Sequence, residues 1–220
     1  MVLRGLLSDH TDHPPVLSRD ENFLLHRVFL YILFILLSKF PIDFYIYLLY
    51  NVPIMIVYIH RRIPTEGFLV ACLADYLLIP EDEIVIHRTP NGKPYLLCHD
   101  VHFSVSHSAD YIIIAICDTP VGADIELIKD RDYLRFAKRW FSPEEIANVE
   151  VAQAEAFYML WTAKEAYTKL RGYNLNTRVT MEHIKSENIN IRYYDLIDNH
   201  LVCVVSEGNV KVDFSIVDNV

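Results

Sequence analysis

The chain has 220 residues, 52% of them hydrophobic, which is enough for a core in one domain or in two small ones. Its net charge of -9 excludes a general nucleic-acid binder, because neutralising phosphates requires a clustered excess of Lys and Arg. The four cysteines form no CxxC pair and have no zinc-finger spacing, so we expect reduced thiols in a cytoplasmic protein.

Residues 1–53 are predicted to be an atypical N-terminal extension. Their apolar runs, at 28–37 and from 44 onward to 59, are each shorter than the roughly 20 residues that a membrane-spanning helix needs. Three interpretations stay open: an added helical layer, a stretch upstream of a functional start near Met55, and membrane association of residues 22–59.

Residues 54–118 are predicted to form a first half of strands around one helix. Apolar residues at helical spacing indicate a helix over Thr65–Leu78, which Pro80 ends. Asp118-Thr-Pro120 is typical of a turn, so the strand before it is expected to form a hairpin with Val121–Leu127. The strand candidates are Met55–Ile59, Glu83–His87, Tyr95–Leu97, Phe103–Ser106 and Tyr111–Cys117.

Residues 119–220 are predicted to form a second half that is richer in helix. After a helix over Asp130–Phe141, Ser142 begins another with a capping box, and a long helix from about Gln153 ends at Gly172. The predicted fold is α+β, with two similar α/β halves related by pseudo-twofold symmetry, each a small antiparallel sheet with packed helices. Three alternating segments predict a C-terminal antiparallel meander: Asn190–Leu196, Leu201–Ser206 and Val210–Val217.

Two carboxylates lie two residues apart on a predicted strand, at Asp124 and Glu126. Alternation places both on one face, roughly 6 to 7 Å apart. At an exposed edge they would simply be solvated. Inside a site they would suit Mg²⁺, which takes one or two carboxylates and leaves its other positions to water and substrate phosphates.

The long helix carries a second stripe besides its apolar one, formed by Trp161, Glu165 and Lys169 at i, i+4 and i+8. A Glu/Lys pair at this spacing is often only a surface ion pair worth a few tenths of a kcal/mol. If the helix packs across the Asp124 strand, Glu165 instead becomes a third oxygen ligand for the same cation.

Smaller polar motifs provide further candidates, each with an ordinary alternative. Ser106 and His107 at a strand end could contact a phosphate, or His107 could be a hydrogen-bonded surface histidine. Lys93 follows the turn residue Gly92 and could reach an anion, or be a plain surface lysine. A basic face could bind an acidic partner or be merely solvated; its members are Arg131, Arg135, Lys138 and Arg139.

In this order and at these separations, four motifs together resemble the 4'-phosphopantetheinyl transferases of the larger, pseudo-dimeric (surfactin-synthetase-activating) type. The resemblance extends from Asn91 to Gly172. The motifs are Gly92-Lys93-Pro94, Phe103-Ser-Val-Ser-His107-Ser, Val121-Gly-Ala-Asp124-Ile-Glu126 and Trp161-Thr-Ala-Lys164-Glu165-Ala-Tyr-Thr-Lys169.

The resemblance implies Mg²⁺-dependent transfer of the phosphopantetheine arm of coenzyme A to a serine of an apo acyl or peptidyl carrier protein, with release of 3',5'-ADP. The positions that match the family's residues are, for metal, Asp124, Glu126 and Glu165; for coenzyme A, Lys93, Pro94, Ser106, His107 and Lys169; and for catalysis, Glu165, Lys169 and Asp124.

The beginning of the chain departs from that pattern. The stretch His60-Arg61-Arg62 is the candidate for contact with the 3'-phosphate of coenzyme A, and the predicted helix after it contains no Arg or Lys. We expect a monomer whose basic face, from Arg131 to Arg139, docks the acidic carrier. Two rival functions stay open: a Mg²⁺-dependent pyrophosphate or nucleotide hydrolase, and a membrane-associated, inactive carrier-binding module.

Overall fold

The structure is a computed structural model that describes residues 53–61, 64–174 and 176–217. Residues 1–52, most of the predicted extension, lie outside these ranges. Within the ranges, no helix combines the length and the apolar character needed to cross a membrane. Residues 54–59, the end of the segment considered for membrane association, belong to a β-strand.

The described chain groups most of its strands and helices into separate runs, as is typical of an α+β fold. In the first half lie β1 (Ile54–Arg61), α1 (Thr65–Leu77), a 3₁₀ turn (Glu81–Glu83), β2 (Ile86–Arg88), β3 (Pro94–Leu96), β4 (His102–Ser108) and β5 (Tyr111–Cys117). In the second half lie β6 (Val121–Leu127), α2 (Tyr133–Trp140), α3 (Pro143–Arg171), α4 (Met181–Ser186), β7 (Ile189–Tyr194), β8 (His200–Glu207) and β9 (Lys211–Val217).

A four-stranded sheet with the order β4-β5-β1-β9 forms one layer, and α1 covers one of its faces. Apolar residues of α1, such as Phe68 and Leu73, pack against Ile114 and Ile116 of β5. The central strand β5 is buried along almost its whole length, since it has a core on both faces. The segment predicted as a strand at Glu83–His87 is instead the 3₁₀ turn followed by β2.

The predicted hairpin between β5 and β6 is wrong. Strand β5 already pairs with β1 on one edge and with β4 on the other, so it has no edge left for β6. Strand β6 instead begins a three-stranded sheet with the order β6-β8-β7. The turn at Asp118–Pro120 therefore carries the chain from one sheet to the other.

The predicted C-terminal meander is correct only for its first pair of strands. Strands β7 and β8 are antiparallel, but β6 occupies the other edge of β8, so β9 cannot follow. Strand β9 crosses to the first sheet and pairs in parallel with β1, from Ile54 opposite Lys211 onward. That sheet is therefore mixed rather than antiparallel, and the pseudo-twofold relation and the boundary at Asp118 stay predictions.

The helix boundaries of the second half follow the local sequence. Ser142 accepts a hydrogen bond from the Glu145 backbone, and the Glu145 carboxylate accepts one from the Ser142 amide, which confirms the capping box. Gln153 has φ 47° and ψ -120°, so α3 consists of two helical pieces meeting near the predicted start of the long helix. The helix ends at Gly172, whose φ of 64° provides the left-handed cap.

Gly122 allows α3 to lie directly on β6. A Cβ atom at this position would be only 1.9 Å from the Ala166 carbonyl oxygen and 2.8 Å from the Leu170 nitrogen. Glycine is therefore the residue that this close approach of backbone to backbone requires. It brings the carboxylates of β6 beside the polar stripe of α3.

Candidate functional site

The site lies where the two sheets meet, along β4 and β6. Alternate serines of β4 face the backbone of β6: Ser104 accepts from the Ala123 amide at 2.9 Å, and Ser108 accepts from Leu127 at 2.9 Å. Between them, Ser106 accepts from Ile125 at 3.4 Å. These three serines, which we call the serine ladder, hold β6 against the first sheet although the two strands share no backbone ladder.

Asp124 is the most enclosed acid of the site, with 4% of its surface exposed. Its Oδ1 accepts a hydrogen bond from the Ser106 hydroxyl at 2.6 Å and from the Lys169 ammonium at 2.7 Å. Lys169 also donates to the Ser106 oxygen at 2.8 Å. Strand β4, strand β6 and helix α3 therefore each contribute one side chain to a single charged cluster.

Glu126 and Glu165 complete the acidic side of the site. The Trp161 indole donates to Oε1 of Glu126 at 3.0 Å. Burial, followed by the nearby charge of Asp124, raises the pKa of Glu126. Burial and the charge of Asp124 raise the pKa of Glu165 to about 7, although Lys169 acts in the opposite direction. The charge of Asp124 therefore acts on both glutamates.

The predicted metal ligands carry the chemistry of a hard-cation site, although the carboxylates themselves are not gathered around one point. In the part of the chain that the structure describes, no three His, Cys, Asp or Glu side chains form a ready metal cluster. Oδ2 of Asp124 is buried without a hydrogen-bond partner among these residues. An unpartnered carboxylate oxygen beside two acids with raised pKa values suits a divalent cation, which would offset their repulsion.

Lys93 lies at the end of α3 rather than on open surface. The Lys93 ammonium donates to the Leu170 carbonyl at 2.6 Å, and burial lowers its pKa. Its side chain also passes Gly172, where a Cβ would be 3.1 Å from Lys93 Cδ. Pro94 begins β3 opposite Arg88. In the described structure, Lys93 therefore caps the helix that carries Glu165 and Lys169.

His107 and Arg61 are the exposed members of the predicted set. His107 follows Ser106 on β4, so it lies on the opposite face of the strand from the serine ladder. Arg61 lies 3.8 Å from the carboxylate of Asp110 and over the ring of Tyr111. Neither side chain contacts the Asp124 cluster.

The predicted basic face is only partly one surface. Arg135, Lys138 and Arg139 are exposed on α2, beside Phe136, which is 43% exposed. Arg131 precedes the helix, and its guanidinium lies over the rings of Phe157 and Tyr158, so it does not share the helical face predicted for it. Its charge instead partly offsets the rise in the pKa of nearby Glu126, which burial and Asp124 cause.

A buried ion pair beside the site was not predicted. Lys164 donates to Glu145 at 2.5 Å, and both side chains are almost fully enclosed. Glu145 also accepts from the Ser142 and Met181 amides, so one carboxylate joins the start of α3, its later part and the start of α4. The capping box identified Glu145 in the sequence, but the partner 19 residues away gave no local signal.

The serine ladder did leave a signal. Ser104, Ser106 and Ser108 alternate in one strand, and small hydroxyl side chains at period two indicate a polar face that meets another backbone. No disulfide joins the four cysteines, Cys72, Cys98, Cys117 and Cys203, all of which lie in the described part of the chain.

Two family models match consecutive parts of the chain. Residues 66–119 match the model for the N-terminal part of 4'-phosphopantetheinyl transferase. Residues 120–207 match the model of the 4'-phosphopantetheinyl transferase superfamily, and they include β6 and the site-bearing part of α3.

Curated 4'-phosphopantetheinyl transferases are similar to the chain over part of their length. The protein of Aneurinibacillus migulanus is 36% identical over 117 residues, 51% of this chain and 48% of its own. The protein of Bacillus pumilus is 39% identical over 103 residues, 44% of each chain. That of Bacillus subtilis strain 168 is 28% identical over 156 residues, 69% of each. The chain thus spans about half the length of the first two relatives.

Proposed function

The chain belongs to the 4'-phosphopantetheinyl transferase superfamily, and from that premise we propose that it transfers the phosphopantetheine arm of coenzyme A to a serine of an apo acyl or peptidyl carrier protein. The observation that carries the proposal is the cluster of Asp124, Ser106 and Lys169, in which an acid, a hydroxyl and an ammonium lie within 2.8 Å of each other. A pyrophosphate ester is an anion, which Lys169 would bind at such a preorganised site together with a cation held by the carboxylates.

In the proposed reaction, the hydroxyl oxygen of the carrier serine forms a bond to the β-phosphorus of coenzyme A. The bond from that phosphorus to the bridging oxygen breaks, and 3',5'-ADP leaves with the electron pair. Glu165 accepts the serine proton, a role that suits a carboxyl whose pKa is raised to about 7 by burial and by Asp124. Lys169 offsets the charge on the leaving group.

The acidic set would hold Mg²⁺ through Asp124, Glu126 and Glu165, which a buried, unpartnered Asp124 oxygen supports. When bound, the cation supplies charge neutralisation at the pyrophosphate. Coenzyme A contacts are proposed for Lys93, Pro94, Ser106 and His107, with Arg61 toward the 3'-phosphate. The exposed basic residues of α2 are proposed to dock the carrier's acidic surface, since the remainder of the chain is strongly acidic.

Mass spectrometry of apo carrier proteins incubated with the chain, coenzyme A and Mg²⁺ tests the activity directly. We expect the phosphopantetheine mass increment on the carrier serine. A chain that releases 3',5'-ADP as fast without carrier as with it would be a hydrolase, and the proposal would fail.

Asp124→Ala tests the cluster. We expect transfer to become undetectable while circular dichroism stays that of a folded protein, because the variant removes the acid that Ser106 and Lys169 share. The matched control is Asp195→Ala, which removes an exposed acid outside the site and should leave transfer unchanged. Normal turnover by the Asp124 variant would refute its assignment.

A further inference from the structure

Trp161 makes one contact that hydrophobic packing does not explain. Its indole N–H donates to Oε1 of Glu126 at 3.0 Å, joining α3 to β6. An indole nitrogen can only donate, so the bond fixes one carboxylate oxygen as the acceptor and leaves the other oxygen available. A buried indole N–H usually finds a hydrogen-bond partner, and here that partner is a carboxylate of the site.

The direction of that N–H is set by the aromatic residues around the ring. The ring of Trp161 is stacked on Phe157, with centroids 6.1 Å apart and planes inclined by 8°. Trp140 contacts the Trp161 ring edge-on, at 6.4 Å and 70°. With both neighbours packed against it, the indole has little freedom to turn, so its hydrogen bond orients Glu126 rather than following it.

Helix α3 thereby determines the positions of two acids of the site. Trp161 lies one turn before Glu165, so the helix that provides Glu165 also provides the donor that positions Glu126. Glu126 lies two residues from Asp124 on the same face of β6, so the two carboxylates repel each other. A fixed donor keeps the Glu126 carboxylate in place against this repulsion.

We propose that Trp161 is a positioning residue for divalent-cation binding: its indole N–H holds Glu126 ready as a cation ligand. The inference rests on the proposed function for its cation and goes beyond it in assigning a role to Trp161. Removing a donor that orients a metal-ligating side chain typically weakens metal binding about 10- to 100-fold.

Isothermal titration calorimetry with Mg²⁺ alone tests the assignment. Trp161→Phe keeps an aromatic ring beside Phe157 and Trp140 but removes the donor, so we expect Mg²⁺ to bind about 10- to 100-fold more weakly. The matched control is Tyr133→Phe, which removes from the same aromatic cluster a hydrogen-bond donor whose partner is the Lys129 carbonyl rather than Glu126, and which should bind Mg²⁺ as the wild type does. Equal affinities for the two variants would overturn the proposal.

Fluorescence provides a second measurement that does not depend on the Trp161 variant folding. The chain has two tryptophans, so Trp140→Phe leaves Trp161 as the sole emitter. Its emission should change along the same Mg²⁺ isotherm that calorimetry gives for that variant, because a cation bound to the free oxygen of Glu126 changes the charge on the carboxylate to which the indole donates. Constant emission while calorimetry records binding would overturn the proposal.

The activity of Trp161→Phe separates positioning from general damage. Transfer should be impaired at limiting Mg²⁺ and recover when Mg²⁺ saturates the weakened site, whereas a merely disrupted core would not recover. Failure of the proposed function would give a different pattern. The protein would bind Mg²⁺ with a change in Trp161 emission but would modify no carrier. That result would refute the transferase activity and would leave the role of Trp161 in cation binding unchanged.

Discussion

Replacing Gly122 by alanine should separate β6 from α3 and thereby disturb the site without changing any of its side chains. The added Cβ would lie 1.9 Å from the Ala166 carbonyl oxygen, where real Cβ contacts are essentially never below 3.0 Å. The backbones must therefore separate by at least about 1.1 Å at this point, because neither contacting atom belongs to a flexible side chain.

The expected loss of stability follows from overpacking, and the expected loss of turnover follows from displacement of the site residues. Inserting a methyl group into a closely packed contact costs about 1 to 3 kcal/mol. For a domain of this size that lowers the melting temperature by roughly 2 to 12 °C. Because β6 carries Asp124 and α3 carries Glu165 and Lys169, a displacement of about 1 Å should also reduce turnover about 10²-fold.

The assay is thermal unfolding combined with carrier modification at a temperature where the variant is fully folded. The matched control is Gly67→Ala in α1, where nothing lies within 4 Å of the added Cβ. That control should gain about 0.5 to 1 kcal/mol and keep its turnover. If Gly122→Ala kept the melting temperature and the turnover of the wild type, the close packing of β6 against α3 would be refuted. If its melting temperature fell but its turnover stayed the same, only the claim that this packing positions the site residues would be refuted.

Three further predictions concern the charged groups. Lys164→Met should cost about 3 to 5 kcal/mol of unfolding free energy in urea, because it leaves the buried Glu145 carboxylate unpaired. Burial raises the pKa of Glu165 to about 7, so the folded, metal-free chain binds a proton there that the unfolded chain releases. Stability is then lost as pH rises toward 7, and Glu165→Gln should be more stable than wild type at pH 8. Reversing Arg135 and Arg139 to Glu should raise KM for the carrier far more than KM for coenzyme A, since both are exposed on α2.

Each of the three predictions on charged groups has its own control. The double variant Glu145→Gln with Lys164→Met should recover part of the lost stability, and no recovery would contradict the ion-pair explanation. For Glu165→Gln, the advantage over wild type must disappear below pH 4.5, the ordinary carboxyl value, where both chains carry no charge at this position. The control for the docking surface is Lys185→Glu, an exposed reversal on α4. An equal rise in both KM values for the α2 variant would count against docking there.

The sequence by itself determined the features that depend on neighbours along the chain. The capping box at Ser142 and Glu145 and the end of α3 at Gly172 need only local hydrogen bonds and a left-handed residue. The placement of Asp124 and Glu126 on one face of a strand follows from backbone alternation alone. The four ordered motifs also carried the family resemblance.

Only the tertiary structure decided which strands pair and which side chains meet. Strand β6 could not join β5, and β9 could not join β8, because both edges of each central strand were already occupied. The pairing of Lys164 with Glu145 and the bond from Trp161 to Glu126 join residues 19 and 35 positions apart. Local periodicity cannot specify such contacts, since they depend on how β6 and α3 approach at Gly122, and that distance exists only when the whole fold is assembled.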